Sequence, residues 1–296
     1  MEDNKMANMK LQFEGKEVSY LHYGDNSKPL LVCFHGLAGS GLYSFGKLIP
    51  RLEERHQFLV LDSPGHGKSA ALDREEDYLF SNLALWFKRV LDLLTEKPFF
   101  VMGHSWGADL ALHFARHYPD RVLGIILLDG GFTFPQNQPE MTFDYALSGW
   151  NDYMDNRTWF RNWSAAATEY RPYAKKWDSD IETSIQTIFH RNEKDEFELR
   201  VSKFTVLSII HAFFQEPFTS VYPFIQAPLL LIYPDSPKEL EDARALGIVQ
   251  LQEAIEDVSI RRIEHAGHML QWDKPDETAD AVSTWLDEKY HSASTS

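Results

Sequence analysis

The sequence of 296 residues predicts an α/β fold, a mostly parallel central sheet flanked by helices. Three observations carry that reading. Nearly continuous apolar runs, PLLVCFHG, QFLVLDSPG, PFFVMGHS and VLGIILLDGG, recur through the first half and suit strands covered on both faces. Amphipathic stretches separate them, as crossovers between parallel strands require. The rhythm stops after Asp129 and resumes at APLLLIYPD, so one sheet is interrupted by an insert.

Taken in order, KLQFEG and EVSYLHYG alternate apolar and polar residues and read as half-buried antiparallel strands. The four apolar runs follow, with helices expected over 41–54, 78–97 and 106–118. Residues 131–225 hold no convincing parallel-strand run but carry about half of the aromatic residues, including Trp150, Trp159, Trp163 and Trp177. Helical stretches are expected there over 178–190 and 196–214, and HRNEKDE reads as solvated surface. Beyond APLLLIYPD come a helix over 237–254, a strand near VSIRRIEH, a helix over 276–290 and a frayed tail, HSASTS. The expected organisation is therefore a core of residues 1–130 and 226–296 and a helical lid of 131–225, inserted after the sixth strand.

Composition narrows the function classes. The formal charge of −15, with no basic run to offset it, repels nucleic acid and anionic lipid. Cys33 is the only cysteine, so an intramolecular disulfide and a cysteine metal cluster are excluded; it reads as a small buried strand residue. MEDNKMANMK has no apolar core of a secretory signal, and no run is long enough to span a membrane, so a cytoplasmic protein is expected. GHGKS looks like the tail of a phosphate loop but lacks its spacing, because residue 62 is aspartate; no nucleotide cofactor and no metal site is expected.

The chemistry sits in FVMGHSWGADLALHFA. Gly103-His104-Ser105-Trp106-Gly107 fits G-x-S-x-G directly after a strand and opening a helix. A serine on so tight a turn projects its hydroxyl out of the sheet, while the helix N-terminus aims N–H groups beside it, where an oxyanion would form. Three further stretches accompany it: CFHGLAGSG, LDSPGHGKSA and IEHAGHMLQWDKPDE.

With these four motifs in this order the sequence resembles the α/β-hydrolase superfamily over roughly residues 11–290, with 131–225 resembling its variable lid. The resemblance implies Ser105 as nucleophile and His268 as its base, in the chain order nucleophile, acid, histidine. His35 and His66 read as structural, His265 as part of a turn, and His104 as a residue packed or hydrogen-bonded beside the elbow. For the acid two residues compete. The family's common position follows the strand after the lid, where LLLIYPDSPKE offers Asp235 in a shortened turn. Some members take it from the preceding strand, here Asp129. The oxyanion hole would be the N–H groups of Trp106 and Leu37.

The function this implies is a cofactor-independent serine hydrolase, a carboxylesterase for uncharged, partly hydrophobic small molecules working through an acyl-enzyme. Carbon–carbon hydrolase, lactonase, perhydrolase and iminopeptidase chemistry use the same machinery, and a non-enzymatic ligand-binding member shares the fold. The iminopeptidase reading suffers from DSPGHGKS, which lacks the Asp-Gln-Arg-Gly type of turn. Epoxide hydrolases and haloalkane dehalogenases of this fold use an elbow aspartate, against which Ser105 argues. Oligomeric state is open.

Overall fold

A computed structural model describes residues 7–293. In chain order the elements are β1 (Ala7–Phe13), β2 (Lys16–Tyr23), β3 (Leu30–Phe34), α1 (Gly41–Phe45), α2 (Ile49–Leu52), β4 (Gln57–Leu61), α3 (Phe80–Asp92), β5 (Phe99–His104), α4 (Trp106–His117) and β6 (Val122–Leu128). The stretch that follows holds α5 (Phe143–Asn156), β7 (Trp159–Phe160), α6 (Trp163–Tyr170), α7 (Ser179–Gln186), β8 (Phe189–Arg191), β9 (Phe197–Leu199) and α8 (Lys203–Gln215). The sheet then resumes with β10 (Leu229–Pro234), α9 (Glu241–Ala254), β11 (Val258–Ile263), α10 (Leu270–Asp273) and α11 (Pro275–Ala293).

Eight strands form one sheet in the order β1-β2-β4-β3-β5-β6-β10-β11. The β1–β2 and β2–β4 pairs are antiparallel, and the remaining pairs are parallel. Every residue of β3 and β5 is buried, which is why their sequences are unbroken apolar runs: helices cover both faces. One core cluster lies on each face; Phe34, Phe87 and Phe114 pack on one side, Phe45, Phe58 and Trp285 on the other. Cys33 is fully buried on β3.

The elements depart from the sequence reading in several places, among them the helix expected over 178–190, which ends at Gln186 and is followed by β8 at Phe189–Arg191. Although β2 is antiparallel, Val18–Leu21 is buried without a break, because the strand lies inside the sheet, between β1 and β4. The helix expected over 41–54 is two short ones, because Pro50 has no N–H to donate back to the preceding turn. The helix expected over 196–214 starts only after Ser202, whose hydroxyl accepts from Thr205 N at 3.1 Å. Residues 197–199 instead form β9, pairing antiparallel with β7 and β8 in a small second sheet, and HRNEKDE is the hairpin between β8 and β9. Finally, α11 continues through Ala293, so half of the expected frayed tail is helical; the last three residues lie outside the described ones, as do the first six, on which the reading of the N-terminus rested.

The 131–225 stretch builds its own apolar cluster, in which Tyr170, Ile185 and Phe189 meet Ala38, Met269 and Trp272 from the body. It is tied down by polar contacts too. Lys47, with its side chain 8% exposed, pairs with Asp178 at 2.6 Å and Asp180 at 3.2 Å. Glu216 accepts from both the N–H and the hydroxyl of Ser81. No helix among the described residues is long and apolar enough to cross a membrane.

Candidate active site

The serine corner is built by exclusion of side chains. A Cβ on Gly103 would lie 2.1 Å from the Gly107 carbonyl oxygen, and one on Gly107 would lie 2.0 Å from that of Phe34. Only glycine lets β3, β5 and α4 converge this closely. Between them Ser105 adopts φ 54° and ψ −123°, a conformation most L-residues avoid. It is held there by its N–H donating to Leu128 O at 2.9 Å and its carbonyl accepting from Ala108 N at 2.8 Å. The hydroxyl is thereby presented at the carboxyl end of the sheet.

His268 arrives from the loop after β11. Its Nδ1 lies 2.7 Å from Asp129 Oδ2, and the Asp129 side chain is only 10% exposed. Asp129 follows directly on β6, with φ 43° and its N–H donated to Ile232 O at 2.9 Å, so the backbone is fixed as well as the carboxylate. A carboxylate on Nδ1–H leaves Nε2 as the free, proton-accepting nitrogen. Ser105 and His268 line the same two cavities, one of about 460 Å³ and a smaller one of about 250 Å³.

The two aspartates that the sequence left as rivals are separated here. Asp235 does not meet the imidazole; its Oδ1 accepts from Ala266 N at 3.1 Å. Burial would raise its pKa, but N–H donation from His265 and Ala266 outweighs that and lowers it. Asp235 therefore pins the backbone of the histidine loop, whose His265 turns with φ 58°.

His104 ties the parts together. Its Nδ1 accepts from Ser44 Oγ at 3.2 Å, and its Nε2–H donates to the carbonyl of His268 at 3.2 Å. Ser44 Oγ in turn accepts from Gly36 N at 3.1 Å. Burial, and then the adjacent His268 ring, hold the His104 pKa well below its usual value, so this chain of bonds has a single neutral tautomer. His35 bridges the loops after β3 and β4: Nδ1–H donates to Gly36 O at 2.8 Å and Nε2 accepts from Ser63 N at 2.9 Å. His66 stacks on Trp106 at 5.1 Å between ring centroids, its pKa pushed down to about 3, chiefly by burial.

Leu37 and Trp106, expected to supply oxyanion donors, both border the smaller cavity beside Ser105. Neither main-chain N–H donates to a backbone acceptor among the described residues. The larger cavity is lined on one side by the 131–225 stretch, through Met141, Tyr145, Trp150, Tyr153, Tyr170 and Tyr173. Tyr153 and Tyr170 hydrogen-bond each other at 2.9 Å, which occupies their polar ends and leaves their rings to the cavity. The sequence marked that stretch as aromatic without singling out these tyrosines; their spacing is equally that of ordinary packing. Asp109 was also missed. A lone acid in the otherwise apolar WGADLALHFA, one turn after the serine, was its available signal.

Against this geometry stand the comparisons with known proteins. A family model described as alpha/beta hydrolase fold matches residues 29–171. The uncharacterized hydrolase YugF of Bacillus subtilis (strain 168) is 32% identical over 130 residues, 44% of this chain and 47% of that protein. Epoxide hydrolase 3 of Xenopus tropicalis is 24% identical over 295 residues, covering 95% of this chain and 78% of its own. The crystal structure of E-2-(acetamidomethylene)succinate hydrolase superposes with a TM-score of 0.78 at 18% identity, covering 96% of this chain and 100% of that one. The chain spans about half or less of the length of several of the curated relatives it matches. The mostly parallel sheet, the strand–serine–helix corner at its centre and the family model matched over residues 29–171 lead to one assignment: the chain has the alpha/beta hydrolase fold.

Proposed function

We propose that the protein is a serine hydrolase that cleaves uncharged, partly hydrophobic carboxylic esters without a cofactor. The observation that carries this is the Asp129–His268 pair at 2.7 Å, which together with Ser105 lines the smaller cavity. Ser105 Oγ attacks the ester carbonyl as its proton passes to His268 Nε2, and Asp129 stabilises the imidazolium. The N–H groups of Leu37 and Trp106 receive the oxyanion. Collapse breaks the bond to the leaving oxygen, which takes the proton from His268. Water, deprotonated by the same nitrogen, then attacks the acyl-enzyme and releases the acid and Ser105. Residues 131–225 act as the lid over this site.

The apolar lining of the larger cavity supports an uncharged substrate, and the acidic charge of the chain disfavours an anionic one. Epoxide hydrolysis, the activity in the name of the Xenopus relative, is disfavoured by chemistry. A serine opening an epoxide would be left as an ether, which the same histidine and water cannot cleave as they cleave an ester. The test is release of p-nitrophenol from a short-chain p-nitrophenyl ester, with fluorophosphonate labelling followed by peptide mapping. The wild type should show a burst and label at Ser105, and Ser105→Ala should do neither. A fully active Ser105→Ala protein overturns the reading.

A further inference from the structure

The two cavities at Ser105 differ in chemistry. They share Leu37, Ser105, Phe134, Trp150 and His268, so the serine stands at their junction. An ester held for attack there sends one arm into each. The larger cavity offers rings and methionine side chains. The smaller one has a polar wall: Asp109, Thr133 and Gln138 all line it, with exposures of 3%, 9% and 8%. Hydrophobic partners, among them Ile210, Phe213 and Leu240, make up much of the rest.

Asp109 is the unusual member. It lies four residues after Ser105 in α4 and so projects from the same helix face. It forms no salt bridge among the described residues; main-chain N–H groups, its own and that of Gly131, approach its carboxyl, and Tyr222 lies near enough to feel its charge. Burial outweighs both N–H groups and pushes its pKa well above the usual carboxylate range, which favours the protonated form, able to donate a hydrogen bond. A carboxyl is costly to bury, and an apolar side chain would fill the same space more cheaply, yet Asp109 stands on the wall of a cavity that Ser105 shares.

Resting on the ester-hydrolase reading, we propose that the smaller cavity recognises a short substrate arm carrying an uncharged oxygen, a hydroxyl or a carbonyl, through Asp109 assisted by Thr133 and Gln138, while the larger cavity takes the apolar arm. The preferred substrates are then esters with one short hydroxylated or keto-bearing arm and one hydrophobic arm. Anionic arms are rejected, because Asp129 borders the same space.

Two isosteric pairs test this, one for each orientation of the ester: the glycol monoester against the propyl ester of phenylbutyric acid, and phenylpropyl esters of hydroxypropionic against butyric acid. For the wild type the ratio of kcat/KM within at least one pair should favour the hydroxyl member by about tenfold, the worth of one good hydrogen bond. Asp109→Leu and Gln138→Leu should bring that ratio towards one, and Asp109→Asn, which keeps a donor, should preserve it. The same ratios are read as Kd by tryptophan fluorescence in Ser105→Ala, with Trp106 and Trp150 on the cavity wall as reporters. If Asp109→Leu does not fold, Gln138→Leu carries the comparison. Ratios near one in both pairs for the wild type, or ratios unmoved by the leucine variants, overturn the proposal. Loss of all hydrolysis and labelling in the wild type would instead strike the ester reading, and the binding ratios would still judge the cavity.

Discussion

Replacing Asp129 by asparagine is the perturbation that most directly tests which acid serves His268. The pair is 2.7 Å apart, and Asp129 is largely withdrawn from water. When the imidazole becomes cationic, two unit charges about 4 Å apart at an effective dielectric near 20 attract by ~4 kcal/mol. Losing that term alone slows the step by about 10³, since each ~1.4 kcal/mol is tenfold. An asparagine that turns its amide N–H towards Nδ1 also selects the tautomer with the proton on Nε2, which cannot accept from Ser105. Together these bring the expected loss in kcat to about 10³–10⁴, the range seen when a triad acid becomes its amide. Asp235→Asn is the matched control. The amide oxygen still accepts from Ala266 N–H, so only the charge assistance is lost, about 1 kcal/mol or under tenfold. Both variants are to be assayed on p-nitrophenyl butyrate, with thermal melts to show that each is folded. An Asp129→Asn enzyme within tenfold of wild type, or a larger loss in Asp235→Asn, refutes the reasoning.

Three further outcomes follow from the same contacts. His104→Ala removes the donor to the His268 carbonyl and the acceptor of Ser44; it should lower kcat by about 10–100-fold, equivalent to ~1–3 kcal/mol for buried groups left unpaired, and shift the acid limb of the pH–rate profile. An unshifted profile with unchanged kcat would mean that the His268 loop holds its place without this tie. Gly107→Ala forces a Cβ to 2.0 Å from Phe34 O and should cost about 3 kcal/mol or more, read as loss of soluble protein or a lowered urea midpoint. His66 and His113 both have pKa values lowered to about 3, chiefly by burial. A folded pKa below the unfolded value means that the unfolded chain binds protons first, so stability is complete above about pH 6.5 and falls as the pH drops towards 3. Between pH 7 and 5 each histidine should cost about 2 kcal/mol, measurable by urea unfolding, and His113→Gln should flatten the slope by one proton.

What the sequence made legible follows from the range of the interaction that writes it. The parallel strands were readable because burial on both faces imposes an apolar residue at every position, as in Leu30–Phe34. The serine corner was readable because backbone crowding imposes two glycines at fixed spacing, at 103 and 107. The small sheet of the insert was not: strands of two and three residues are too short for any period to register, and Phe197–Leu199 merges by pattern with the helix after it. Nor was the division of labour between Asp129 and Asp235. Each follows directly on or at the end of a buried strand, and only the course of the histidine loop decides which carboxylate meets the ring and which meets the backbone.

That division has a mechanical consequence. Asp129, just after β6, the strand from which the insert departs, hydrogen-bonds the imidazole, while Asp235, just after the strand where the sheet resumes, accepts from the loop that carries it. The side chain and the main chain of the histidine segment are thus fixed by neighbouring strands that pair directly, Leu229–Ile232 against Ile125–Leu128. His104 adds a third fixture from β5 through the His268 carbonyl. The insert departs from the carboxyl end of β6 and the chain returns to the sheet at the amino end of β10, and none of the three fixtures lies within it. A substitution inside residues 131–225 that loosens its packing, such as Ile185→Ala in its own apolar cluster, should therefore raise KM while leaving the pH dependence of kcat in place. A shift of that pH dependence in the Ile185→Ala enzyme would show that the insert, and not the sheet alone, holds the histidine.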